Sequence, residues 1–189
     1  QALGNLGNTY LDMGRLEESE KAYRDGLDLL PDQPDLYYNL GRALYEQGRW
    51  DDAEESFRKT LSLNHASPLA HWNLSHVMLL HGRFREGWLE YEWRWHCPGF
   101  TTQIPKFDQP RWDGKDISGK TLLVYAEQGF GDTMQFVRYL PGLSASGCRV
   151  IFLCQPALAR LLREISGVEE IVTDWSTLPA FDLHTPLMS

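Results

Sequence analysis

Apolar residues in the first half of the chain recur at helical spacing, and the whole pattern restarts every 34 residues. Asn5, Leu6 and Gly7 return as Asn39, Leu40 and Gly41, then as Asn73, Leu74 and Ser75. Gly14-Arg15 returns as Gly48-Arg49 and Gly82-Arg83, and the bulky residue of each second helix returns as Tyr23, Phe57 and Tyr91. Each repeat therefore predicts two amphipathic helices joined by a Gly-Arg turn, over about 1–33, 34–67 and 68–96. The middle repeat is the clearest, with helices over Leu36–Gln47 and Trp50–Leu63. Gly48 is placed to take the left-handed conformation that ends the first helix. Asp51 and Asp52 put negative charge in the first turn of the second, where the macrodipole favours it. Gly41 and Ala53 are small enough to let the two helices approach, while Pro31 and Pro34 close the first repeat and restart the chain.

After this the period changes. Residues 97–120 hold Pro98, Gly99, Pro105, Pro110, Gly114 and Gly119, the composition of a linker. Thr121–Ala126 is a short β-rich apolar run, followed by a helical segment from Asp132. A second strand is predicted at Arg149–Cys154, a second helix at Pro156–Ile165, a third strand at Glu170–Thr173 and a fourth at Phe181–His184. Strands alternating with helices of this length predict βαβ units and a parallel, Rossmann-like sheet over 121–189. A doubly wound lobe usually carries six strands, so the lobe reads as incomplete. The expected fold class is an α solenoid followed by a partial α/β, Rossmann-like segment.

The order Leu-Gly, Tyr, small residue, Phe, Pro at this period resembles the tetratricopeptide repeat. Repeat three departs from it, with Ser75 for Gly, Met78 for Tyr and Gly87 for Ala. Its last helix runs into Trp88, Tyr91, Trp93 and Trp95, which reads either as a docking end for the next domain or as a capping repeat with a large core. The resemblance implies a curved solenoid whose concave face takes an extended polypeptide, a partner protein or an acceptor. Asn5, Asn39 and Asn73 share one position of the first helix and should line that face. A carboxamide both donates and accepts, so a ladder of them pairs with peptide backbone whatever its side chains. The alternative is that Asn simply faces water there. The acidic-tail clamp of co-chaperone repeats is a different case, because it needs cations beside the asparagines. Gly4, Leu69 and Asn73 stand at those positions instead.

Composition narrows the field. The formal net charge is −8 and no basic cluster is present, which argues against nucleic acid. No apolar run approaches the roughly 20 residues of a membrane span. Cys97, Cys148 and Cys154 are odd in number without a CxxC spacing, so reduced thiols and a cytoplasmic location are expected. His71, His76 and His81 are five apart and scatter around a helix, so no metal site is expected. The chain opens on Gln1 and closes just after a predicted strand, and is read as cut at both ends, with any signal peptide upstream.

The remaining chemistry lies between the first strand and its helix, at Glu127-Gln128-Gly129-Phe130-Gly131-Asp132. Two glycines permit a tight turn and close ligand approach, and the helix start attracts anions. It is not a dinucleotide fingerprint, since Met134 stands where the third glycine belongs. Asp132 has two open roles, N-cap of the helix with Gln135 at N3, or general base at the carboxyl edge of the sheet. His184, near the end of the fourth strand, is a candidate acid/base or sugar contact, or else a buried or surface histidine.

Trp112-Asp-Gly, the stretch Ser118–Pro141 and Phe181–Ser189 resemble bacterial proteins that join tetratricopeptide repeats to a glycosyltransferase domain. That domain is similar to the two-lobed GT-B fold of heptosyltransferases and of O-linked N-acetylglucosamine transferase. The resemblance implies sugar transfer from a nucleotide sugar to a polypeptide, with Gly131-Asp132 matching the Gly-Asp pair that supplies the base. It also implies that the donor site lies mostly in the second lobe. The present chain is then expected to hold no cofactor and to be inactive alone, and the alternative is a non-catalytic interaction scaffold.

Overall fold

In the computed structural model of the chain, which describes residues 1–100, 106–127 and 129–189, three glycines 34 residues apart punctuate the helices. Gly14, Gly48 and Gly82 have φ of +69°, +75° and +72°, a region closed to most side chains. At each, two hydrogen bonds close a Schellman motif; in the middle repeat Gly48 N–H donates to Tyr45 O (2.9 Å) and Arg49 N–H to Leu44 O (3.0 Å). They end α1 (Ala2–Asp12), α3 (Pro34–Glu46) and α5 (Pro68–Leu80). The chain turns back into α2 (Leu16–Leu29), α4 (Trp50–Leu63) and α6 (Phe84–Tyr91). Pro34 and Pro68 open α3 and α5, where a missing N–H costs nothing.

Within each pair the two helices pack together, and each second helix packs on the first helix of the next pair. Tyr23 and Phe57 are fully buried at these junctions. Their rings fill the space that Gly7 and Gly41 leave open: a Cβ there would fall 2.4 Å and 2.6 Å from ring carbons. Ala53 is buried as expected. The substitution Gly87 has its own reason, because a Cβ at that site would lie 2.8 Å from Leu79 Cγ. α6 is short and tightens into a 3₁₀ turn over Glu92–His96. There Trp93 stacks on His71 at 4.0 Å, and the fully buried Arg94 lies over the rings of Tyr91 and Trp95, each at 4.5 Å.

The chain divides into Gln1–Phe100 and Thr101–Ser189. In the second unit β1 (Thr121–Tyr125), β2 (Arg149–Leu153), β3 (Glu170–Val172) and β4 (Leu183–Pro186) form one sheet in the order β3-β2-β1-β4, every pair parallel. β1 connects to β2 through α7 (Phe130–Phe136) and α8 (Leu140–Ala145), and β2 to β3 through α9 (Pro156–Leu162). These two crossovers step in the same direction and so, with one hand, cover the same face. Leu122, Val124, Val150 and Phe152 accordingly share a core with Leu140, Leu158 and Leu162. The return from β3 to β4 reverses direction, and the other face (Leu123, Tyr125, Ile151, Leu153) is covered by Leu178, Phe181 and Phe107. Burial on both faces explains why β1 and β2 read as near-continuous apolar runs.

Two expectations are corrected here. Residues 97–120 are not a linker throughout: 97–100 close the helical unit, whereas Phe107 and Ile117 pack in the two cores of the α/β unit. Residues 110–112 also run beside β4, with Trp112 N–H donating to His184 O at 2.8 Å. The fourth strand is Leu183–Pro186 rather than Phe181–His184, because Phe181 turns into the second core.

Candidate functional site

Two places in the chain gather the predicted site residues. The first is the line of first helices, where Asn5 sits on α1, Asn39 on α3 and Asn73 on α5. The three carboxamides are not equivalent. Asn5 is exposed and its side chain makes no hydrogen bond among the described residues. Asn39 is half-buried, and its Oδ1 accepts a long bond from Arg42 at 3.5 Å, leaving both N–H groups open. Asn73 donates to Tyr38 Oη at 3.2 Å and to Leu69 O at 2.8 Å, so both its donors are engaged and only its oxygen remains. The ladder of three is thus two open rungs and a tie between repeats.

Tyr38, which sequence reasoning did not single out, anchors that tie. Burial pushes its hydroxyl above the ordinary value, against the charge of Arg42 and the bond from Asn73. A second ladder also escaped the sequence reading although it is written at the same offset. Arg49 donates to Glu20 at 2.8 Å, and Arg83 to Glu54, each arginine reaching back to the previous repeat. Burial alone would raise the Glu20 carboxyl, but hydrogen bonds from Arg24, Gln47 and Arg49 hold it below the ordinary range. The recurrence of Glu20 as Glu54 was the available signal.

The second place is the carboxyl edge of the sheet. Gly129 is the N-cap of α7, so Asp132 occupies N3 and is not the cap that the sequence pattern suggested. The reason is that Thr133 N–H already bonds to Gly129 O at 3.1 Å, which starts the helix three residues earlier. Asp132 is exposed, and Gly129 leaves room for it: a Cβ there would lie 3.1 Å from Asp132 Oδ2. Neither Gly129 nor Gly131 has a positive φ, and the space above Gly131 is open. Glu127 Oε1 accepts Met188 N–H at 3.1 Å, binding the end of β1 to the segment after β4. Gln128 lies outside the described residues.

His184 is not at this edge. It pairs in register with Leu123 in the middle of the sheet and so faces the second core, whereas Asp132 belongs to the layer on the opposite face. Its ring sits 4.7 Å from Phe107 and 6.0 Å from Tyr125, and it is 7% exposed. Burial, then the charge of Arg111, push the imidazole below its ordinary value, against a backbone contact to Gln109. The structure does not bring Asp132 and His184 into one site. Among the described residues no helix is long and apolar enough to cross a membrane, and no group of three His, Cys, Asp or Glu is disposed to hold a metal ion.

A family model described as tetratricopeptide repeat matches residues 5–84. The N-terminal unit is a tetratricopeptide-repeat domain. The protein FlbA of Caulobacter vibrioides is 41% identical over 63 residues, which are 32% of this chain and 10% of FlbA. The match therefore spans about a tenth of that relative's length. The first tetratricopeptide domain of Spaghetti (RPAP3), solved bound to an HSP90 peptide, aligns with a TM-score of 0.48 and 24% identity, over 49% of this chain and 73% of that one. The Yersinia enterocolitica secretion chaperone SycD, solved with a peptide of YopD, aligns at 0.47 and 17% identity, over 49% of this chain and 70% of that one. MamA aligns at 0.46 and 24% identity, over 48% of this chain and 53% of that one.

Proposed function

We propose that the helical unit binds an extended stretch of partner polypeptide along α1 and α3, and that the chain acts as a protein-interaction scaffold. The observation that carries this reading is the pair of open carboxamides, Asn5 and Asn39, at one position of successive repeats. Each offers two donors and an acceptor to peptide backbone without selecting side chains. Asn5→Ala with Asn39→Ala tests it, using a peptide selected against the chain from a display library. With each hydrogen bond contributing about 1 kcal/mol, the double variant should bind about 30-fold more weakly with helix content unchanged. Unchanged affinity would refute the role of the carboxamides. Asn73→Ala is a poor probe, since it also removes the tie to Tyr38.

A second reading is favoured by one observation, the all-parallel order β3-β2-β1-β4 with the exposed Asp132 at the start of the helix after β1. The same order opens the doubly wound sheets, in which ligands bind outside the carboxyl ends of the strands. On this reading the α/β unit is the Rossmann-like acceptor lobe of a glycosyltransferase, and Asp132 deprotonates an acceptor hydroxyl on a polypeptide. The nucleotide sugar would be held mainly by another lobe. Calorimetry of the 189-residue chain with uridine, guanosine and adenosine diphosphate sugars should then show no binding. A micromolar dissociation constant for any of them would place the donor site in this lobe instead.

A further inference from the structure

The asparagine-bearing side of the middle repeat also carries a charge. Arg42 follows Asn39 by one turn of α3 and is exposed. Its guanidinium stands 6.0 Å from the centre of the Tyr38 ring and donates to Asn39 Oδ1 at 3.5 Å. Its charge reaches both flanking repeats. Burial, the largest cause, raises the hydroxyls of Tyr23 and Tyr38, and Arg42 works against the rise in each. Tyr23 donates to Asn8 Oδ1 at 2.7 Å, and Tyr38 accepts from Asn73, so Arg42 lies among the asparagines of all three repeats. Arg15, Arg24, Arg49, Arg58 and Arg83 each hold a carboxylate of the helical unit, whereas among the described residues Arg42 holds none. Its matching positions in the first and third repeats are Asn8 and His76. Neither supplies a cation at neutral pH, because burial pushes the His76 imidazole below its ordinary value.

We propose that Arg42 determines which polypeptide the helical unit selects, by taking the carboxylate of one Asp or Glu side chain in a partner that runs on past it. The inference rests on the reading that an extended partner lies along α1 and α3. Charge complementarity selects the residue: the guanidinium is a planar fork of donors that a carboxylate fits in two parallel hydrogen bonds. The carboxylate belongs to a side chain and not to a chain end, because a partner that also meets Asn5 and Asn39 continues along both helices.

The test selects one library of random displayed peptides against the parent chain, Arg42→Gln and Arg42→Glu, with helix content checked in each. Peptides selected by the parent should share an enriched Asp or Glu, and those selected by Arg42→Glu should carry Lys or Arg there. In a synthetic parent-selected peptide, changing that acid to its amide should weaken binding to the parent about fivefold, as exposed ion pairs do, and leave binding to Arg42→Gln unchanged. The parent's preference should shrink in high salt, and amidating the peptide's C-terminus should leave affinity unchanged. Peptides without an enriched acid overturn the proposal, as does an acid that matters equally to the parent and to Arg42→Gln. Affinity lost on C-terminal amidation overturns it too, by moving the carboxylate to a chain end. The binding reading is scored separately on the same peptides: Asn5→Ala with Asn39→Ala weakens them if it holds, whatever Arg42 does. A library from which the parent enriches no peptide overturns both.

Discussion

Replacing Gly41 with alanine sets helix propensity against packing, and the structure says which wins. In a helix interior, alanine is about 1 kcal/mol better than glycine. A Cβ on Gly41, however, would lie 2.6 Å from Phe57 Cε1 and 2.8 Å from Cδ1. Phe57 is fully buried and its ring packs 6.1 Å from that of Tyr38, so it cannot swing aside without parting α3 from α4. Overpacking of this kind costs about 1–3 kcal/mol. The two terms leave Gly41→Ala destabilising by up to about 2 kcal/mol, and with the Cβ at 2.6 Å from a buried ring the packing cost outweighs the propensity gain. Phe57→Leu makes room at the same point, so the double variant should be more stable than the sum of the single changes, with a coupling of about 1–2 kcal/mol. Urea unfolding followed by far-UV circular dichroism reads the effect as a lower midpoint at unchanged slope. A Gly41→Ala chain more stable than the parent, or strict additivity in the double variant, would refute the packing argument.

The ion-pair ladder predicts acid sensitivity. Burial alone would raise Glu54, but hydrogen bonds from Arg83 and Arg58 hold it low, as the partners of Glu20 hold that residue low. A depressed carboxyl contributes stability that is full above the unfolded value of about 4.3 and is lost as pH falls through the folded value. Glu20→Gln with Glu54→Gln should lower the neutral-pH urea midpoint and flatten its decline in acid; an unchanged pH slope would refute the linkage. Asp132→Asn keeps hydrogen-bonding capacity at N3 but loses the charge that favours a helix start, so thermal melting should register less than about 1 kcal/mol. In a full-length protein that transfers sugar, the same change should slow transfer by about a hundredfold or more. Transfer at the parent rate would reduce Asp132 to a charge at a helix start.

The helical unit was legible because its period repeats three times, so Gly14, Gly48 and Gly82 confirm one another at the same turn. The two central strands, β1 and β2, were legible because each is a short apolar run buried on both faces. What misled was composition read locally. Pro110, Gly114 and Gly119 suggested a linker, yet Gly114 and Gly119 take φ of +84° and +72° in turns that flank Ile117 in the first core. Asp132 was misplaced by three residues because glycine at N-cap leaves little trace in a sequence that already holds several glycines. His184 was placed correctly on a strand, but its facing depends on register with Leu123, which no local pattern carries.

The asparagines show how far a repeat licenses inference from one copy to the next. Position and residue type recur, but the neighbour across the junction does not: Gly4, Tyr38 and Trp72 occupy one site in the three repeats. Only the middle copy supplies a hydroxyl, and it points to the following repeat, where it accepts from Asn73. Asn39 has only Gly4 at the matching position behind it and keeps its donors open. A partner backbone laid along the first helices therefore meets two open carboxamides and then a closed Tyr38–Asn73 tie. On the proposed reading, backbone recognition is concentrated in the first two repeats, and whatever the third contributes comes from other side chains.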